Sequence, residues 1–214
     1  MTITELEQSS LNPGLAYVIG LIFPFYKTGK DNKGNEFVKG CVNYNSVTEE
    51  DLAAHFRSVL ALLNENNLSS LQLLSNKQEE FSVSPKKGFS VLIYKENQKD
   101  DKCLDILLKK VNEIKKSENP QIQKEFMKGC FDGRGSFDTT MHFLSIDTDR
   151  DYERQNLIKE IFAQSNIDLN LNQRSMDYDK HDQIRIRPKD LQYFLNKIGL
   201  FNVMKKRQIE NFLN

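Results

Sequence analysis

Two short segments near the C-terminus place hydrogen-bonding side chains at every second residue: Asn170, Asn172 and Arg174 in DLNLNQR, and Gln183, Arg185 and Arg187 in QIRIR. Successive side chains of a strand point to opposite sides, so Leu169 and Leu171, like Ile184 and Ile186, take the buried side and leave the polar set on the other. Arginine pairs with guanine edges and asparagine or glutamine with adenine edges, so a sheet face of this content suits a nucleic-acid groove. Either strand alone is equally an amphipathic edge with a solvated side; it is the pair of matching faces that points to recognition. The first half has a thinner counterpart in Lys39, Asn43 and Asn45, followed by Lys77, Lys86 and Lys87, and lysines there suit phosphates better than bases.

Other chemistry is sparse. His142 alternates with Asp138 and Thr140, but two ligands at that spacing fall short of a metal site. His55 and His181 lack ligand-like neighbours, apart from Asp179 and Asp182 beside the latter. No Ser/His/Asp or Cys/His set, phosphate-binding loop or dinucleotide fingerprint is present.

The elements that must position these residues come in a repeated order. Asn12 and Pro13 open a helix over Leu15–Phe23 that is apolar nearly all round and ends at Pro24, so it must be buried. A turn, TGKDNKGN, leads to a strand over Glu36–Tyr44, then a helix over Glu49–Leu63, strands over Leu71–Leu74 and Phe89–Tyr94, and a helix through Leu104–Ile114. After a polar linker the order starts again: a helix over Gln121–Asp132, a turn at Gly133–Gly135, a strand over Ser136–Ile146 and a helix over Tyr152–Gln164. Strands over Asp168–Arg174 and Gln183–Arg187 and helices over Lys189–Ile198 and Met204–Leu213 complete it. One unit is written twice, about 110 residues apart. The expected organisation is an N-terminal arm (1–12), two repeats (13–114 and 121–214) and a linker (115–120). Neither half can cover its own apolar first helix, so the two are expected to pack together, with Gly20 and Gly129 at the crossing.

Composition sets the limits. The 214 residues include 30 basic and 30 acidic side chains, so a nucleic-acid partner requires its cations sorted onto one face. Three separated cysteines without a CxxC pair suit a reduced compartment, a cytosol or organelle matrix. The longest apolar run, Leu15–Phe25, is about half of a membrane span, and no membrane partner is expected.

The segments LAYVIGLIFPFYKTG (Leu15–Gly29) and EFMKGCFDGRGSFD (Glu125–Asp138) resemble the signature of LAGLIDADG homing endonucleases in their single-chain, two-motif form. The second is the nearer match, through Gly129, Phe131, Asp132, Gly133, Gly135, Ser136 and Phe137, and FLSIDTDRDYERQNLIKEIF is similar to the strand and helix that follow the motif. The resemblance implies an α+β fold of two tandem αββαββα-like repeats, the motif helices at a pseudo-two-fold axis and two antiparallel sheets forming a saddle for double-stranded DNA. In enzymes of that family the last acid of each motif binds a divalent metal. Here those positions are Phe25 and Arg134, neither of which offers magnesium an oxygen ligand. Asp132 falls two residues earlier, where a helix-terminating role is the plainer reading.

Three readings follow. The first is a monomeric, sequence-preferring DNA binder without cofactor, in which Arg134 contacts the backbone. The second is a diverged site-specific endonuclease using Mg2+ and relocated carboxylates such as Asp132, Asp138 or Asp147. The third is a module that binds protein. Family members that act on structured RNA leave RNA open as a partner.

Overall fold

The computed structural model describes residues 2–44, 54, 57, 58, 61, 87–94, 103–148, 150–173 and 181–214. The expected strand at Leu71–Leu74 lies outside them, as do Lys77, Lys86, Arg174 and Asn45. Of the expected Glu49–Leu63 helix only Ala54, Arg57, Ser58 and Ala61 are described, all helical.

The chain runs α1 (Ile3–Gln8), α2 (Pro13–Ile22), β1 (Lys27–Lys30), β2 (Glu36–Tyr44), β3 (Lys87–Tyr94) and α3 (Cys103–Lys116), then α4 (Pro120–Arg134), β4 (Gly135–Asp138), β5 (Phe143–Thr148) and α5 (Tyr152–Gln164). It ends with β6 (Leu169–Asn172), β7 (Asp182–Ile186), a single turn at Pro188–Asp190, α6 (Leu191–Lys197) and α7 (Val203–Leu213). The described strands form two antiparallel sheets, ordered β1-β2-β3 and β4-β5-β7-β6. A single hydrophobic core spans both halves.

The two motif helices lie side by side at the centre. Each starts from an asparagine cap followed by proline: Asn12 accepts from Leu15 N at 2.9 Å and Asn119 from Gln121 N at 3.0 Å. Their crossing is reciprocal. A methyl on Gly20 would lie 2.2 Å from Phe126 O and 3.1 Å from Cys130 N, and one on Gly129 would lie 2.2 Å from Tyr17 O and 3.1 Å from Leu21 N. The offset that carries Gly20 to Gly129 also carries Tyr17 to Phe126 and Leu21 to Cys130, so the same contact is made twice about a pseudo-dyad. Only glycine permits backbones this close.

Several boundaries differ from expectation. The N-terminal arm contains α1, which buries Leu6 and packs against α3, because one apolar side chain in a polar stretch found the core. The TGKDNKGN segment is a hairpin: β1 occupies Lys27–Lys30, and Asp31 builds the turn by accepting from Lys33 N and Asn35 N. The Gly133–Gly135 turn is replaced by helix continuing to Arg134, with Gly135 N–H bonded to Phe131 O. Gly133 serves packing instead, since a methyl there would lie 2.8 Å from Leu21 O. The single strand expected over Ser136–Ile146 is two, joined by a turn in which Asp138 accepts from Thr140 N and Met141 N and His142 takes a φ of 55°. The expected helix from Lys189 begins as the single turn Pro188–Asp190 before α6.

Candidate nucleic-acid interface

The pseudo-dyad relates Phe25 to Arg134, the two positions where the resembled family keeps its metal-binding acids. α2 stops at Ile22 because Pro24 cannot donate the next helical hydrogen bond, whereas α4 continues to Arg134. The two residues meet: the guanidinium carbon of Arg134 sits 4.3 Å from the centroid of the Phe25 ring. The exposed His181 ring packs edge-on against the same Phe25 at 4.4 Å. The sequence marked His181, just before β7, only by the aspartates beside it, and nothing local placed it against Phe25.

Divalent cations of the magnesium type require oxygen ligands, and a phenyl ring and a guanidinium supply none. The residues at the helix ends therefore do not fit a metal. Among the described residues no group of three or more His, Cys, Asp and Glu side chains could hold one.

Asp132 is fully buried behind this point and is occupied by donors. Its carboxylate accepts from Tyr17 Oη, Phe201 N and Asn202 N, each at 3.0 Å. Lys205 Nζ donates to the main-chain oxygens of Phe131 at 2.8 Å and Asp132 at 3.0 Å, closing the end of α4. Burial pushes the Asp132 carboxyl up to about 6, against the pull of Lys205 and the two main-chain donors. Burial also draws the Lys205 ammonium down to about 8, opposed by Asp132 and assisted by Arg134. The pseudo-dyad mates of Tyr17 and Asp132 are Phe126 and Phe23, an aromatic pair 6.2 Å apart. One side of the helix pair is thus tied by a buried polar contact, the other by rings. As the candidate catalytic residue Asp132 is misplaced: it has no exposure and anchors the segment leading into α7.

The second sheet turns Leu144, Ile146, Ile184 and Ile186 to the core. The opposite face carries Ser136, Ser145, Asp147, Gln183, Arg185, Asn170 and Asn172, aligned by register: Ser136 opposes Ser145, Ser145 opposes Arg185, and Arg185 opposes Asn170. Asn170 is exposed and Asn172 half-buried, on the expected side. Gln183 is not exposed: it is 7% accessible, because its amide donates to Asp147 at 3.0 Å and accepts from Arg185 Nη2 at 3.0 Å. Arg185 in turn lies over the Phe143 ring, 4.0 Å from its centroid. Arg187 is held by Asp190 at 3.0 Å and Asp168 at 3.4 Å, half-buried at the end of the strand. Asp138 is half-buried, and the main-chain donors of Met141 and Thr140 hold its carboxyl below the usual range.

In the first sheet Lys39 is half-buried with its ammonium 5.8 Å from the centroid of the Phe37 ring. It shares that ring's side of the sheet, since Val38 between them faces the core. Asn43 is in β2, opposite Gly88. Sequence reasoning missed Lys27, which the register sets opposite Lys39, and Phe143, which was hidden inside one long expected strand.

No family model and no curated protein matches this sequence. In three dimensions the chain is similar to the crystal structure of I-DmoI in complex with DNA and Mn, with 15% identity, 89% of this chain and 98% of that chain covered and a TM-score of 0.56. It is similar to mesophilic variants from the homing endonuclease I-DmoI, with 16% identity, coverages of 92% and 96% and a TM-score of 0.52. It is likewise similar to the N-terminal LAGLIDADG domain of DUF199/WhiA, with 17% identity, coverages of 92% and 89% and a TM-score of 0.52. At these identities the likeness is one of architecture: the chain has the LAGLIDADG homing-endonuclease fold. No helix among the described residues is long and apolar enough to cross a membrane.

Proposed function

We propose that this chain, built on the LAGLIDADG homing-endonuclease fold, binds double-stranded DNA across the faces of its two sheets, prefers some sequences over others, and does not cut what it holds. The observation that carries this reading is the contact between Phe25 and Arg134 at the ends of the paired helices, 4.3 Å from ring centroid to guanidinium carbon. Phosphodiester hydrolysis on metal ions needs carboxylates there to hold the ions that stabilise the attacking and leaving oxygens. A guanidinium needs no ion to attract a phosphate: it donates directly to the oxygen. The centre of the saddle thereby becomes a backbone contact. A solved neighbour of the same fold is in complex with DNA and Mn, which supports duplex DNA as the partner. Both halves of the interface reside in one chain, so a monomer suffices, and a role at one DNA site in a reduced compartment, without a cofactor, fits the whole.

The test is to incubate the purified chain with an end-labelled randomised duplex library, with and without Mg2+ or Mn2+. Retarded, intact duplex under every condition is expected, with affinity falling as salt rises because bound cations release counterions. Metal-dependent strand scission would overturn the non-cutting reading and move attention to Asp138 and Asp147. Tighter retention of a structured RNA competitor of equal length would replace DNA as the partner.

A further inference from the structure

The pseudo-dyad relates not only the helices but the first hairpins, and there the two halves differ in charge. Lys27 opposes Lys39 across β1 and β2, and Ser136 opposes Ser145 across β4 and β5. The offset that superposes the helices carries Lys27 onto Ser136, and because the first hairpin is three residues longer, Lys39 and Ser145 are the cross-strand partners of these two equivalent residues. In the second half the two hydroxyls bond each other at 3.1 Å. In the first half the register sets two lysines directly opposite on one side of the sheet, and like charges in that arrangement destabilise a strand pair. Local carboxylates do not relieve it. Glu36 pairs with Lys30 at 3.5 Å, and Asp31 is engaged by the turn, so neither Lys27 nor Lys39 has an ion-pair partner among the described residues. The helix pair approaches the other side of this sheet, where a methyl on Gly40 would lie 2.6 Å from Leu21 O.

The second half inverts this. Its row of polar groups is internally neutralised: Asp147 accepts from Gln183, Gln183 accepts from Arg185, and Arg185 lies on Phe143. Such a network costs little to keep without a ligand and fixes one guanidinium in place, which is what directional pairing with a base edge requires. Two opposed lysines are costly alone and are relieved by any polyanion passing between them, whatever its sequence.

We propose that the two sheets divide the work: the first grips phosphates through Lys27 and Lys39, and the second reads base edges through Arg185, with Gln183 and Asp147 as positioning residues. This rests on the duplex-binding reading above. The experiment measures affinity over a range of salt for a duplex selected by the wild type and for an unrelated duplex. The proteins are the wild type, Lys27→Gln/Lys39→Gln, Arg185→Ala and Asp147→Asn.

The lysine variant is expected to weaken both duplexes alike, lowering the slope of log K against log salt by about 2 while leaving their affinity ratio unchanged. Its thermal stability should be equal to or above that of the wild type, because the repulsion is gone. Arg185→Ala is expected to lose about 10-fold to 100-fold on the selected duplex and far less on the unrelated one. Asp147→Asn should lower the same ratio through Gln183, with unrelated binding retained. The division of labour is overturned if the lysine variant changes the ratio but not the slope, or if Arg185→Ala weakens both duplexes equally. Wild-type binding with no preference between duplexes would also overturn it while leaving duplex binding standing. Absence of salt-dependent duplex binding by the wild type would remove the underlying reading itself.

Discussion

Adding one methyl group at the helix crossing tests the pseudo-dyad directly. In Gly20→Ala the new carbon lands 2.2 Å from Phe126 O and 3.1 Å from Cys130 N. A relaxed carbon-to-oxygen contact is about 3.3–3.6 Å, so the helices must part by about 1 Å. A gap of that size forfeits about a quarter to a half of each dispersion contact along the seam. Overpacking of this kind typically costs about 1–3 kcal/mol, and more when the obstruction is backbone on both sides. Alanine recovers about 1 kcal/mol of helix propensity. With this two-sided backbone obstruction taken at about 3–4 kcal/mol, the expected net loss is about 2–3 kcal/mol, a substantial part of a total that is typically about 5–15 kcal/mol. Gly129→Ala meets the mirror-image obstruction at the same 2.2 Å and should cost the same. The double variant should lose about 3 kcal/mol rather than the sum, because helices already parted by one methyl admit the second. Urea unfolding followed by circular dichroism gives these values from the midpoints if the m-values match. Either single variant within about 0.5 kcal/mol of the wild type, or two single variants of very different stability, would refute the reciprocal crossing.

Asp132 provides a pH signature. Its carboxyl is raised to about 6 in the folded chain, against about 3.9 unfolded, so between those values the folded state binds more protons. The stability it contributes is therefore full below about pH 4 and is lost as pH rises through about 6, by on the order of 3 kcal/mol. Subtracting the same titration of Asp132→Asn should reveal that fall, and a rise over this interval would contradict it. Gly199 adopts a φ of +73° at the end of α6, so Gly199→Ala should destabilise the chain by about 1 kcal/mol in thermal unfolding, with no change contradicting a left-handed cap. Lys205→Met removes the donor to Phe131 O and Asp132 O and leaves a buried carboxyl without its cation. It should cost about 3 kcal/mol or more at neutral pH and less near pH 5, where Asp132 is protonated.

Much of the framework was legible in the sequence because its signals are local. Asn12-Pro13 marks the start of α2, whereas Asn119-Pro120, which starts α4 in the same way, reads in the sequence as linker, and strict alternation in β6 and β7 told the core side from the polar side. The misread stretches are those where a residue type serves a non-local purpose. Gly133 resembled a turn but is required by the carbonyl of Leu21. The β4–β5 turn contains no glycine or proline, and the Asp138 carboxylate and the left-handed His142 make it instead. Gln183 had the alternation of an exposed reader, but alternation gives direction and not accessibility, and its neighbours Asp147 and Arg185 close over it. The meeting of Phe25 with Arg134 and His181 depends on how two helices cross and where β7 begins, which no window of sequence contains.

The central claim, that duplex DNA lies on the polar sheet faces, is tested most directly by hydroxyl-radical footprinting of the side chains with and without a bound duplex. Phe143, half-buried beneath Arg185 on that face, should become strongly protected, while Tyr193 on α6, 39% exposed and bonded to Ser165 O, should oxidise at an unchanged rate. Protection of Tyr193 with Phe143 unaffected would place the nucleic acid on the helical side of the molecule and contradict the account.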